Sequence, residues 1–567
     1  MKGLIATKKQ SVLFGSFLLM VSVLVSKLAG LFLKIPLANL LGGTGMGYYS
    51  SAYAVFMPLY ALCAASLPPA VAQTVSESAA YNRYGRIRLT KKTALWFFGS
   101  VSLVLTLLPL IFSEFIAERI IGNPDARLSV MAISPCIFLG TVTAVYRGYY
   151  EGLRNMTPTA VSQMADSIVK LIFGLGLAYV TKEYAYGCYY TGAPVFGQIC
   201  LNEYDAANAS LPYISAAAVV GTAVADLAGM LYLILHHKLI GDGIQTAELP
   251  SGSESGKILK HLLYMIAPIA LASVVSSLIN TIDLSTIILL IKNSLRNHPE
   301  LYSERYASII ASGVKLSELP NFLYGSFTGL SMAIFTLAPS LCAVFGKSAF
   351  PNIAESYAKK DMPSVSKEIR RALMTSAYIS IPAGFGLCVF SEPVLKLLFS
   401  SRYAEISVSH LPLSVLSLST AFLAISSAAY SMLQAINRSD LPVKITVVGA
   451  IVKLGLNSIL IPINQSGLIG AAAATAISYM VMAIWSVAAL YKLTNTRPKI
   501  GFSVILPSIG GILSSLSSAA VYSYLQNSLS NTISVTISVL FAVIIYILFV
   551  TLLDISTKNA ISAQIFG

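Results

Sequence analysis

Apolar residues run along this chain in blocks of about 20, separated by short polar intervals, from one end to the other. Wound as a helix at about 1.5 Å per residue, such a block matches the hydrocarbon thickness of a bilayer. The pattern predicts helical spans at 12–33, 47–70, 93–117, 128–146, 158–181, 211–235 and 262–291. It continues with spans at 321–345, 373–390, 409–434, 443–462, 467–491, 502–525 and 533–553. Fourteen spans without a soluble domain define an all-α polytopic membrane protein. Composition agrees: 56% of the 567 residues are hydrophobic and 11% charged, with mean hydropathy +0.74. A soluble domain carries about 25% charged residues.

The formal charge of +14 would suit a nucleic-acid partner, but the basic residues sit in short loops between spans. Lys2, Lys8 and Lys9, the group Arg83 to Lys92, Arg147 with Arg154, and Lys359 to Arg371 all fall on one side of the predicted topology. That side holds 25 of the 38 lysines and arginines. Such a bias marks the cytoplasmic face, so both termini are expected in the cytoplasm of a multi-pass cell-membrane protein. The first apolar run reaches Leu33, too long for a cleaved signal core, and reads as an uncleaved span.

The chain also repeats itself. The stretch Tyr146 to Leu171 has a weaker copy from Tyr430 to Leu454, in which Arg154 answers to Arg438 and Pro158 to Pro442. The tetrapeptide Ile-Val-Lys-Leu ends both copies, and Ser66 to Gln73 is echoed by Ser348 to Glu355. Two pseudo-symmetric six-helix lobes are therefore expected, 1–240 and 261–495, joined by a cytoplasmic linker at 241–260. Two additional helices occupy 496–567.

Charges inside spans cost about 2.5–3.5 kcal/mol each at the bilayer centre and need a reason. Here they are Lys27, Lys34, Asp166, Lys170, Asp226, Asp283 and Lys453. Lys34 is near enough to a span end to reach the headgroups, and Asp166 with Lys170 can pair locally, four residues apart on one helix face. Lys27 and Lys453 have no acidic residue in their own spans, so each needs a carboxylate from another helix or an anionic ligand. Lys27, Lys34, Lys170 and Lys453 are the candidate substrate-binding residues. Asp166, Asp226 and Asp283 are candidate ion or charge-pair sites. Phe345-Gly346-Lys347-Ser348 fails as a phosphate loop, because Leu341 replaces the first glycine and no strand precedes it. No catalytic triad and no metal-ligand spacing stands out, so neither an enzymatic reaction nor a cofactor or metal is predicted. Cys188 and Cys200 share one loop and can pair if it faces an oxidising space. The role of the tyrosine-rich loop 182–210 stays open.

Three blocks of residues carry a family likeness. The first is Arg147-Gly148-Tyr149-Tyr150-Glu151-Gly152 with Pro158-Thr159-Ala160. The second is Leu323-Tyr324-Gly325 with Leu337-Ala338-Pro339-Ser340, and the third is Ser26-Lys27-Leu28-Ala29-Gly30 with Ile35-Pro36-Leu37-Ala38. In these the chain resembles the stage V sporulation protein B family of polysaccharide exporters. That family is related to the lipid II flippases within the multidrug/oligosaccharidyl-lipid/polysaccharide exporter superfamily. The resemblance implies two lobes enclosing a central cavity that opens alternately to each side. It also implies an undecaprenyl-pyrophosphate-linked oligosaccharide as cargo, such as a peptidoglycan precursor, with Lys27 and Lys34 as cavity cations. The reading is a flippase: a monomer in contact with membrane lipids and its lipid-linked glycan, with cell-wall synthesis enzymes as further candidate partners. The alternatives are a cation-coupled multidrug exporter on the same scaffold and a non-transporting scaffold for those enzymes. A cationic interior favours the first, an acidic interior the second, a closed apolar one the third.

Overall fold

The computed structural model describes residues 12–244, 255–436, 438–462, 467–495 and 504–566. Lys2, Lys8 and Lys9, most of the expected linker (245–254), and Arg497 with Lys499 lie outside the described residues. Nearly all the rest is helix, and the isolated β-bridge described, Val195 to Gln198, closes a turn.

In chain order the principal helices are α1 (Val12–Tyr60), α2 (Leu67–Ala80), α3 (Tyr84–Ile111), α4 (Arg127–Ile133), α5 (Pro135–Gly152), α6 (Thr157–Tyr190) and α7 (Glu203–Leu239). They continue with α8 (Ser255–Asn297), α9 (Leu319–Ser326), α10 (Leu337–Ala358), α11 (Met362–Val389), α12 (Tyr403–Ser417) and α13 (Thr420–Ala435). The last four are α14 (Asp440–Leu460), α15 (Leu468–Thr494), α16 (Leu506–Leu525) and α17 (Asn531–Phe566).

Ten helical stretches among the described residues are long and apolar enough to cross a membrane, or eleven when α12 and α13, bent by 52° at their junction, count as one. The expected fourteen is not reached, for reasons visible in the backbone. The first two expected spans run together as one stretch, Val21–Ala79. It breaks at Gly42 (φ 63, ψ −171), a conformation that only glycine enters readily. The span expected at 321–345 is cut into short pieces by a π-helical turn, Phe327–Ser331. α16 carries serines at 514, 515, 517 and 518, which lower its hydropathy.

The chain forms two compact units, Met1–Leu289 with Gly313–Gly325, and Leu290–Ser312 with Ser326–Gly567. The division falls inside α8, later in the chain than the expected linker. In the first unit small residues let backbones touch, as membrane helices require where burial in lipid gives no driving force. A Cβ on Gly221 of α7 would lie 2.4 Å from the Gly174 Cα of α6. Gly148 and Gly152 of α5 seat against the Pro68 and Ala72 carbonyls of α2. Gly325 meets Gly43 and Gly47, and Asn321 donates to the Thr44 carbonyl at 3.0 Å, so the 313–325 segment is bound to α1. In the second unit Gly346 of α10 lies on Ala428 of α13, and Gly511 of α16 lies on Pro382 of α11. Ile445, Gly449, Lys453 and Asn457, spaced by four, form one buried face of α14. There Ser478 of α15 donates to the Gly449 carbonyl at 2.7 Å.

Candidate functional site

Five of the seven charged residues expected inside spans converge in the first unit. Lys27 and Lys34 stand on α1, Asp166 and Lys170 on α6, and Asp226 on α7. Lys34 is within electrostatic reach of both Lys170 and Lys27, so three ammonium groups share one region. Lys27 is exposed, whereas Lys34 and Lys170 are half-buried. The Lys170 ammonium lies 4.8 Å from the centre of the Tyr53 ring, a cation–π contact. The hydroxyls of Tyr53 and Thr222 are 2.6 Å apart, tying α1 to α7. On the same wall Ser22 donates to the Gln163 side-chain oxygen at 2.8 Å and Ser26 to the Gln163 carbonyl at 3.3 Å.

Asp166 does not form the expected local ion pair with Lys170. Its partner is Arg147 of α5, in a close contact between half-buried side chains. Arg147 also donates to the Ser162 hydroxyl from two nitrogens, at 2.7 and 3.0 Å. Gly229 of α7 leaves the space that the Asp166 carboxylate fills, since a Cβ there would lie 1.8 Å from Oδ1. Asp226 accepts from the Cys136 thiol and interacts with Lys170. Asp283 is buried on α8 and acts electrostatically on Tyr324. Lys453 is buried in the second unit on the α14 face described above.

Arg147 is the cluster member that sequence reasoning missed, having counted it as a topology cation. Its signal is the pairing of Ser162 and Asp166, one helical turn apart just past the α5–α6 turn, both presented to an arginine. Gly148 and Gly152 orient α5 by their close approach to α2.

A second polar cluster closes one end of the first unit, where the chain leaves α7. Tyr149 donates to Asp242 at 2.8 Å, the Arg88 guanidinium lies 3.6 Å from the same carboxylate, and Arg88 donates to the Ile244 carbonyl at 2.8 Å. The Tyr150 hydroxyl bridges His236 and His237, at 3.2 and 3.1 Å, and Lys91 contacts His237. The two histidines are thus held by a tyrosine and a lysine at the end of α7. Among the described residues no group of three or more His, Cys, Asp or Glu side chains is placed to hold a metal ion.

The family profile "Polysaccharide biosynthesis protein" matches residues 12–201, and "Lipid II flippase MurJ" matches 307–557. Stage V sporulation protein B of Bacillus subtilis is 23% identical over 515 residues, 89% of each chain. The lipid II flippase MurJ of the same organism is 22% identical, over 83% of this chain and 81% of its own. Among solved structures, an inward closed lipid II flippase MurJ superposes with a TM-score of 0.64 at 16% identity, covering 96% of this chain and all of the other. At that identity the likeness is one of fold. The chain is a multi-pass membrane protein related to stage V sporulation protein B and the lipid II flippases.

Proposed function

We propose that the protein moves an undecaprenyl-pyrophosphate-linked oligosaccharide across the cytoplasmic membrane by alternating access. One observation carries this reading: the charge cluster within the spans of the first unit holds four cations, Lys27, Lys34, Lys170 and Arg147, against two carboxylates, Asp166 and Asp226. An excess of two positive charges suits a pyrophosphate, whose charge cannot enter hydrocarbon without replacement of its counterions. The prenyl tail needs no site, because it stays dissolved in the bilayer. The same proposal has fourteen spans in two six-helix lobes about a central cavity, both termini cytoplasmic, and Lys453 contributing from the second lobe as the repeat of Lys170.

The cation-coupled exporter keeps one supporting observation, the presence of Asp166 and Asp226 in the same cluster. Flipping of a lipid-linked glycan in proteoliposomes, normalised to inserted protein, separates the two. Lys27→Gln is expected to abolish flipping with normal abundance, because it removes one of the four cations proposed to meet the pyrophosphate. Full activity in that variant would remove the central cation from the mechanism. Absence of glycan flipping in the wild type, together with proton- or sodium-dependent drug export that Asp226→Asn abolishes, would favour the exporter.

A further inference from the structure

The first unit contains a cavity of about 660 Å³ whose lining includes no member of the cationic cluster. Its walls come from the segment after the Gly42 break, the start of α4, the loop 198–200, the start of α7 and the 313–325 segment. Enclosed sites for small organic ligands occupy about 300–1,000 Å³, so this one is far too large for a bare ion.

The wall is built. Tyr48, 2% exposed, donates toward Glu318 at 3.1 Å and lies 3.4 Å from Asp125. Asn123 donates to Glu318 at 2.8 Å and accepts from the Asp125 backbone N–H at 3.0 Å. Gly313, at φ +98, lies so close to the Tyr204 ring that a Cβ would be 2.2 Å from it, which fixes the 313–325 segment against α7. The Tyr213 ring, at the cavity edge, is stacked on Phe196 at 3.9 Å. Of the stretch 182–210, expected as one loop, 182–190 extends α6 and 203–210 begins α7; the 191–202 loop and the start of α7 supply part of a wall.

The chemistry of the lining narrows the ligand. Three carboxylates, Asp125, Asp205 and Glu318, outnumber two cations, Arg127 and Lys315, and Arg127 is already paired with Glu114 at 3.0 Å. That balance disfavours an anion. The Tyr48 hydroxyl has one proton for Asp125 and Glu318, and Asn123 donates to Glu318, against two carboxylates with about four acceptor sites each. Against them stands the Asn208 side-chain nitrogen, a buried donor with no hydrogen-bond partner among the described residues. An amide N–H repels a metal ion and calls for an oxygen acceptor. A ligand carrying many hydroxyls, each both donor and acceptor, meets both demands, and an aromatic edge suits a sugar ring.

We infer that this cavity is a saccharide site taking one or two neutral sugar rings. The inference deepens the flippase reading, resting on it only for the source of the sugar. Cys200 lines the cavity and serves as reporter. In the detergent-purified full chain carrying Cys188→Ser, reduced and then freed of reductant, N-ethylmaleimide modification of Cys200 is followed by peptide mass spectrometry. The ligands are N,N′-diacetylchitobiose, maltose, sodium chloride and calcium chloride. At twice its Kd, at least one disaccharide is expected to slow the modification about threefold, by simple occupancy. Asn208→Leu and Asp205→Asn, each with an unchanged unfolding midpoint, should abolish the protection. No protection by either sugar, or equal protection by the salts alone, overturns the site. Cys200 protection alongside full flipping by Lys27→Gln would leave this site standing while removing the cationic mechanism.

Discussion

At the scale of single residues, the Arg147–Asp166 pair is the contact on which the cluster turns. Removing one partner leaves a half-buried charge facing its old site, at a cost of about 3 kcal/mol by the usual behaviour of buried pairs. Arg147→Gln and Asp166→Asn are each expected to lower the unfolding midpoint in detergent. The double variant should recover part of the loss, giving a coupling energy in a double-mutant cycle. Additive losses would mean that the pair is not an energetic unit. Gly229→Ala tests the same pocket from the opposite helix. Its Cβ would occupy the space of the carboxylate, so the pair must move, and Asp166→Asn should then cost less in that background than alone. The seven intraspan charges were legible in the sequence because charge in an apolar run is conspicuous. Their partners were not: Asp166 pairs across to α5, since helix packing and not sequence spacing sets which neighbour is nearer.

At the scale of elements, the end of α7 is tied down through Asp242. Burial raises the pKa of this carboxyl, but the Ile244 N–H, the Tyr149 hydroxyl and the Arg88 guanidinium outweigh it and hold it below the ordinary 3.8. A carboxyl with a depressed folded-state pKa contributes stability that is present above its unfolded pKa and is lost as pH falls through the folded value. The window therefore opens near pH 3.8 and extends below it. The unfolding midpoint of the wild type should fall more steeply than that of Asp242→Asn across this window, with the two differing most above it. Parallel curves would show that Asp242 contributes nothing to folding through its charge. Tyr149→Phe removes the shared hydroxyl and should cost about 1 kcal/mol, the ordinary worth of such a bond, in the same assay.

At the scale of the whole molecule, the apolar periodicity carried the fold class, because a bilayer demands long apolar helices and tolerates little else. It did not carry the breaks. The Gly42 kink depends on a positive φ, and the π-helical turn at 327–331 depends on packing, so neither appears in a hydropathy pattern. The polar cavity was also hidden, because its walls come from segments as far apart in sequence as Thr44 and Glu318. Orientation rests on loop charge alone, and it decides which face that cavity serves. Cys188, in the last turn of α6, and Cys200, in the loop after it, lie on the face expected outside, and Lys238 follows α7's last apolar turn on the face expected inside. A membrane-impermeant maleimide applied to intact, gently reduced cells should modify Cys188. A cysteine introduced by Lys238→Cys should react only after permeabilisation. If the order of reactivity is reversed, the cytoplasmic assignment of the basic loops falls and the cavity opens toward the cytoplasm. A sugar bound there would then be met before transport instead of after it.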